Sequence, residues 1–338
     1  MNLTVNSEIL LSFVVPVYNV EGFIEDCLKS LLAQNVSKEL YEIICVDDGS
    51  TDNSGRILDD YADINSNIKV IHSENKGVSA ARNIGISAST GKYLWFVDSD
   101  DMIATNCLKP LFNIIIEKSP QCIRFNHENT GESDNFDSIC SNPFNTFHGS
   151  IHKGRISGNH VWESVVKASI IKDNNIRFDE QMKFGEDTLF TYMIYANMPS
   201  DCWIALRESL YYYRTRKNSA VNTKTKERYT QQTKDLFRMA YTYKEILKNN
   251  SLTDGRIIEN TKKRQQLATI GALTILPKST LDYKETMRCI KEEKLYPFSF
   301  SFWNVRLAKS FKAKVMETIK LLFIFRPFYK VYYLLMKK

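Results

Sequence analysis

Three times in its first hundred or so residues the chain drives an apolar run straight into polar or acidic residues: "LLSFVVPVYN", "YEIICVDDGS" and "YLWFVDSDD". Apolar runs of this length without alternation mark strands buried on both faces, which belong to parallel sheets covered by helices. The segments between them fit that reading. In "EGFIEDCLKSLLAQ" the residues Phe23, Ile24, Cys27, Leu28, Leu31 and Leu32 recur at helical spacing. "TDNSGRILDDYAD" reads as a second helix with Thr51 or Asp52 as its N-cap. "IKVIHS" is a further strand, and "ENKGVSAARNIGISAS" leads from it into "YLWFVDSDD". This alternation predicts an α/β fold, a mostly parallel sheet flanked by helices.

In open α/β sheets ligands bind beyond the carboxyl ends of the strands. Here those ends carry Pro16 to Asn19, Asp47 to Ser50 and Asp98 to Asp101, and all three are expected on one rim. Clustered carboxylates repel one another and resist desolvation unless a cation or hydrogen-bond donors compensate them. Asp98 and Asp100, two apart at a strand end, are expected to share a face. Their hard oxygens suit Mg²⁺ or Mn²⁺, with Asp100 the more direct ligand.

Beyond about residue 105 the pattern changes. A helix, "LKPLFNIIIEK", and a strand, "QCIRFNHE", precede the polar stretch "GESDNFDSICSNPFN", expected to be a surface loop. "FGEDTLFTYMIYAN" reads as a loop entering a helix, and "WIALRESLYYYRTRKNSA" as a strand running into a basic turn. Past Thr223 the sequence is helical and polar, with long segments around Gln231 to Lys248 and Arg256 to Leu276. The division expected is 1–105, 106–222 and 223–338.

Composition narrows the class of function. The seven cysteines are odd in number, scattered and without a C-x-x-C pair, which argues against a disulfide framework or a zinc site and fits reduced thiols. There is no G-x-G-x-x-G, and "GISASTGKY" has the wrong spacing for a phosphate-binding P-loop. The five histidines lack H-E-x-x-H spacing, and "HGSIH" reads as a hairpin. The N-terminus lacks a basic segment before its apolar run, so no signal peptide is read.

The segments "FVVPVYNVEGFIEDCLKSLLAQ", "EIICVDDGSTDNS", "SENKGVSAARNIGI", "GKYLWFVDSDD" and "FGEDTLF" resemble, in order and spacing, the inverting family 2 glycosyltransferases with the GT-A fold, of the kind that build bacterial surface polysaccharides. The strong part of the resemblance covers residues 9 to 105, with a second match from Trp162 to Ser219. It implies that Pro16, Tyr18 and Asn19 line a nucleoside pocket, with Asp48 and Asp47 accepting hydrogen bonds from base and ribose. It implies that Lys76, Gly77 and Arg82 close over the nucleotide. Asp98 and Asp100, with Ser99 between them, match the D-x-D element that holds a divalent cation on the diphosphate. Asp187 matches the catalytic base, with Glu186 beside it. Arg214 and Ser219 match a loop that folds over the pyrophosphate. Chemically, charge develops on a departing nucleoside diphosphate, where a metal acts as a Lewis acid, and an inverting transfer needs a base for the acceptor hydroxyl. Trp162, Tyr192 and Tyr211 to Tyr213 either stack on sugars or pack in the core.

The formal charge of +6 sits in the tail: residues 301–338 carry nine Lys or Arg against one acid, Glu317. "LLFIFRPFYKVYYLLM" is too short and too charged for a membrane span and fits an interfacial anchor on an anionic membrane. The alternative is a helix packed on the body. Nothing else in the chain supports nucleic-acid binding. The function expected is metal-dependent transfer of a sugar from a UDP-sugar to a glycan or lipid-linked oligosaccharide, in the cytoplasm at the inner face of the membrane. Two competitors are a catalytically silent relative that binds glycan or scaffolds an assembly, and a sugar nucleotidyltransferase. The latter class opens with a glycine-rich basic loop where this chain has "PVYNVEGF".

Overall fold

A computed structural model of the chain describes residues 8–139, 149–152, 160–198, 203–216, 225–248 and 254–293. The chain divides into two compact units, residues 1–181 with 186–219 and residues 182–185 with 220–338.

In the first unit nine strands, among the described residues, form one sheet. They are β1 (Leu11–Val17), β2 (Tyr41–Asp47), β3 (Ile68–His72), β4 (Tyr93–Phe96), β5 (Met102–Ile103), β6 (Cys122–Thr130), β7 (Gly149–His152), β8 (Ser164–Lys167) and β9 (Trp203–Arg214). The order is β3-β2-β1-β4-β8-β6-β9-β5, with β7 also on β9. From β3 to β4 all pairings are parallel, as the apolar runs require. Beyond β4 the sheet becomes mixed: β8 lies antiparallel to both β4 and β6, and β9 runs parallel to β6. "HGSIH" does not fold on itself as a hairpin; Gly149–His152 pair with β9.

The chain steps outward from β1 through β2 to β3 and then returns to lay β4 on the other side of β1. That reversal between β1 and β4 is the switch point at which open α/β sheets leave a crevice. Helices α1 (Ile24–Leu32), α2 (Ser54–Ile64), α3 (Val78–Ala88), α4 (Leu108–Lys118), α5 (Phe136–Ile139), α6 (Ala168–Asp173) and α7 (Glu186–Asn197) complete the unit. Helix α2 starts at Ser54, later than either expected cap; Asp52 instead accepts from the Ser54 backbone N–H at 2.9 Å.

Two large apolar clusters cover the sheet, with a small third of Ile44, Val46 and Ala81 between β2 and α3. One packs α1 and α4 on β1, β2 and β4 around Phe13, Trp95 and Phe112. In the other, Phe96 meets Phe178 and Phe190 edge-on at 5.5 Å each, and those two rings stack at 3.8 Å. Such ring pairs add about 0.5–1.5 kcal/mol beyond their burial. Their effect here is positional: Phe96 ends β4 and Phe190 lies in the first turns of α7, so the segment after β4 is held beside the start of α7. Trp162, Tyr192 and Tyr211 are buried in this body.

The second unit contains α8 (Lys226–Lys248), α9 (Gly255–Ile275) and α10 (Tyr283–Glu292), the last closed by a capping box from Asp282 and Glu285. The five cysteines among the described residues are free thiols. No helix among them is long and apolar enough to cross a membrane. The basic aromatic tail lies outside the described residues.

Candidate active site

The three polar strand ends emerge at the same edge of the parallel strands, and local hydrogen bonds tie the first two together. Pro16 is buried within β1, while Tyr18 just past it is 48% exposed. Asn19 takes a left-handed conformation, φ 49°, and its side-chain carbonyl accepts the Thr51 N–H at 2.8 Å. Buried Ser54 accepts the Val20 N–H at 2.8 Å, and Asp52 accepts the Glu21 N–H at 3.0 Å.

Asp47 and Asp48 are buried, and both brace neighbouring backbone. Asp48 accepts the Lys76 N–H on one oxygen and the Gly77 N–H on the other, each at 2.8 Å. Gly77 needs its glycine: φ is +95°, and it caps α3 without a side chain. Each carboxylate oxygen of Asp48 has a second lone pair, so this bracing leaves room for a ligand donor.

Asp47 accepts the Ser50 N–H at 2.9 Å and faces His72 Nδ1 at 2.9 Å, while His72 Nε2 faces Asp59 at 3.0 Å. Burial pushes the Asp47 carboxyl up, but hydrogen bonds from Ser50 and His72 outweigh it and the group lies below its usual range. Hydrogen bonds to Asp47 and then Asp59 raise His72. The raised histidine stabilises the fold fully below its unfolded value near 6.5 and loses that as pH rises through the folded value; the lowered aspartate stabilises above about 4 and loses it as pH falls. The stability difference between wild type and His72→Gln should therefore be largest between about pH 4 and 6.5 and vanish in alkali, as denaturant titrations at several pH values will record. It should stay under about 1 kcal/mol, because His72 is half exposed.

The "DSDD" segment does not continue β4. It forms a turn closed by the Asp101 N–H on the Asp98 carbonyl at 3.0 Å, so strand alternation does not set its side-chain directions. Its aspartates divide the work. Asp101 is buried and accepts the Tyr211 hydroxyl and the Arg214 N–H, both at 2.7 Å, while that same hydroxyl accepts the Asp98 N–H at 3.0 Å. Asp98 and Asp100 keep partly exposed side chains, and each gives one oxygen to an arginine: Asp98 to Arg82 at 2.8 Å, Asp100 to Arg216 at 2.5 Å. Burial, then the Asp98 charge, raises the Asp100 carboxyl, with Arg216 opposing. Ser99 between them is buried.

Arg82 is the centre of the arrangement. Its guanidinium, 4% exposed, donates to Asp98 and, at 2.7 Å, to Asp187, with Glu186 at 3.7 Å and the Phe178 ring 5.2 Å away. Burial raises the Asp187 carboxyl to about 7, against the pull of Arg82 and with the help of Glu186 and Asp98. That is the range in which a carboxylate serves as a general base near neutral pH.

Arg214 is the last residue of β9 rather than part of a loop. It is buried, pairs with Asp26 at 3.1 Å and lies over the Phe23 ring. Arg214 meets the D-x-D turn only through its backbone N–H on Asp101; Arg216, two residues further in "YRTRKNS", is the one whose guanidinium pairs with Asp100. Sequence reasoning missed Arg216 and His72, and it placed Asp101 on the rim without its bracing role; the second arginine in that short motif was the local signal for Arg216. Ser219 lies outside the described residues.

Among the described residues no three His, Cys, Asp or Glu side chains form a metal cage. Mg²⁺ is commonly held by one or two carboxylates together with substrate phosphates, and Asp98 and Asp100, each with an oxygen left over, fit that donor set.

The topology is that of the GT-A fold. Staphylococcus aureus TarS residues 1–349 in complex with UDP-GlcNAc superposes with a TM-score of 0.64 over 85% of this chain and 81% of that one, at 21% identity. The description "Glycosyl transferase family 2" matches residues 12–174, just under half of the chain, a stretch that takes in all but the first residue of β1, then β2 to β4 and the D-x-D turn. Among curated relatives, the uncharacterized glycosyltransferase EpsJ of Bacillus subtilis (strain 168) is 34% identical over 62% of this chain and 62% of its own. The poly(ribitol-phosphate) beta-glucosyltransferase of Bacillus spizizenii W23 is 35% identical over 55% of this chain and 29% of its own. The chain thus spans less than two thirds of the length of these relatives.

Proposed function

We propose that the protein transfers a sugar, with inversion, from a UDP-sugar to a hydroxyl of a glycan or lipid-linked oligosaccharide in cell-surface polysaccharide or teichoic acid synthesis. The observation that carries this reading is Arg82, which joins the D-x-D carboxylate Asp98 to the candidate base Asp187 within one buried cluster. A transferase needs those two functions side by side: one carboxylate at the leaving diphosphate, the other at the incoming hydroxyl. The names of the relatives and of the TarS complex support this substrate class.

Tyr18, Asn19, Asp47 and Asp48 border the nucleoside, and the Asp48 brace presents the Lys76–Gly77 backbone beside it. Asp98 and Asp100 would hold a divalent cation together with the diphosphate, and that cation would supply Lewis-acid neutralisation of the leaving group. Asp187 accepts the proton of the acceptor hydroxyl as it attacks, and Arg82 fixes the direction of its carboxylate. The basic aromatic tail, by its composition, suits contact with the inner face of an anionic membrane where a lipid-linked acceptor resides.

Thermal melts test the donor site without an acceptor. UDP with Mn²⁺ should stabilise the full chain by about 2.7 kcal/mol at 100 times its dissociation constant. EDTA, or Asp98→Ala with Asp100→Ala, should remove most of that shift. No shift with UDP, GDP, CDP or dTDP from a folded protein would sink the proposal and leave the glycan-binding relative as the better reading.

A further inference from the structure

Strands β6 and β9 run in register from Cys122 to Arg124 against Trp203 to Ala205 and then part company. Asn126 is next paired with Ser209, so β9 has advanced four residues while β6 advanced two. Bulges of this kind open a ladder and re-aim side chains, and they gather beside functional sites. At this one lies a pocket of about 300 Å³ lined by Arg124, Phe125, Asn126, Glu163, Trp203 and Leu206, with Ala205. That volume is at the low end for small-molecule sites.

The lining pairs one charged couple with apolar walls. Arg124 is 9% exposed at its side chain; one guanidinium nitrogen meets Glu163 at 2.5 Å, and the other, Nη1, is buried without a hydrogen-bond partner. Glu163 also faces His127 Nδ1 at 3.2 Å. An unpaired buried donor in a pocket wall calls for an acceptor from a ligand. Because Glu163 already balances Arg124, an anion finds no surplus positive charge here. A hydroxyl, donor and acceptor at once, suits an arginine–carboxylate pair better, and an indole offers a flat apolar wall to the C–H face of a sugar ring. A short chain of contacts links the pocket to the candidate active site: Trp162, next to Glu163, stacks on Tyr211 at 4.4 Å, and Tyr211 holds the D-x-D turn.

We infer that this pocket is a saccharide subsite, taking a neutral pyranose ring of the acceptor with Trp203 as its wall and Arg124 and Glu163 as its hydroxyl partners. The inference rests on the glycan-transfer reading above and adds where the acceptor is gripped.

The test uses the full chain, ligand-observed NMR and tryptophan fluorescence, with methyl glucoside, methyl N-acetylglucosaminide, their deoxy analogues and inorganic phosphate as probes. Two variants probe the pocket differently: Ala205→Leu fills it, and Arg124→Met with Glu163→Leu removes the charged pair without orphaning either member. Stabilisation by UDP with Mn²⁺ reports that each variant is folded with an intact donor site. The expected result is a pyranoside dissociation constant in the millimolar range, weakened about tenfold or more in both variants and in one deoxy analogue, with the UDP response unchanged. Pyranosides that bind both variants as well as wild type overturn the subsite. So does binding of phosphate in place of pyranosides, or no pyranoside binding by a protein that still responds to UDP. A wild type that answers to neither UDP nor pyranosides overturns the transfer reading and the subsite together.

Discussion

Asp187→Asn should lower kcat by about 10²–10⁴-fold, the usual contribution of a positioned proton acceptor, while leaving UDP-dependent stabilisation close to wild type. The asparagine keeps the shape of the side chain and can still accept a hydrogen bond from Arg82, so the loss should appear in turnover rather than in donor binding. A pH profile sharpens the test. Burial raises the Asp187 carboxyl to about 7, so it is protonated and idle below that value and ionised above it. The wild-type rate should rise with pH through about 7, and the residual rate of the variant should lack that rise. Full activity in Asp187→Asn would move the base elsewhere, with Glu186 next in line.

Arg82→Met should be the most destabilising single change in the first unit's site. Removing one partner of a buried ion pair leaves the others uncompensated and costs about 3–5 kcal/mol. Here the orphans are Asp98 and Asp187, with Glu186 close by. Denaturant midpoints give the number, and a cycle with Asp187→Asn reports the coupling: in the double variant part of the lost stability should return, because one orphaned charge is gone. Arg82→Lys should not substitute, since a single ammonium lacks the fork that reaches two carboxylates at 2.7 and 2.8 Å. Additive losses in the cycle would show that Arg82 does not act through Asp187.

Much of this was legible in the chain itself, for a physical reason. Fully buried parallel strands have to be apolar throughout, so β1, β2 and β4 announce themselves, and the polar residues that end them mark the rim. The helical periodicity of α1 and the "GED" that opens α7 were equally plain. What stayed hidden depends on pairings far apart in sequence. Arg82 reaches Asp187 across 105 residues, and nothing in "SAARNIGI" says which carboxylate it will meet. Asp101 looked like a third member of an acidic cluster, yet its partners Tyr211 and Arg214 lie more than a hundred residues on. The turn at Asp98 replaced an expected strand end because Asp101 folds back on the Asp98 carbonyl. The β9 bulge has no turn residue of its own, so its pocket could not be read from spacing.

The Tyr211 hydroxyl takes the Asp98 amide and gives its proton to Asp101, joining the end of β4 to a strand that the ribosome has not yet made when β4 is complete. The first hundred residues, self-contained as their sheet pattern looks, are therefore not a transplantable cassette. A chimaera that grafts them onto another acceptor half has to bring a tyrosine and a buried backbone donor at the positions of Tyr211 and Arg214. Otherwise it inherits the rim without the clamp that shapes its acidic turn.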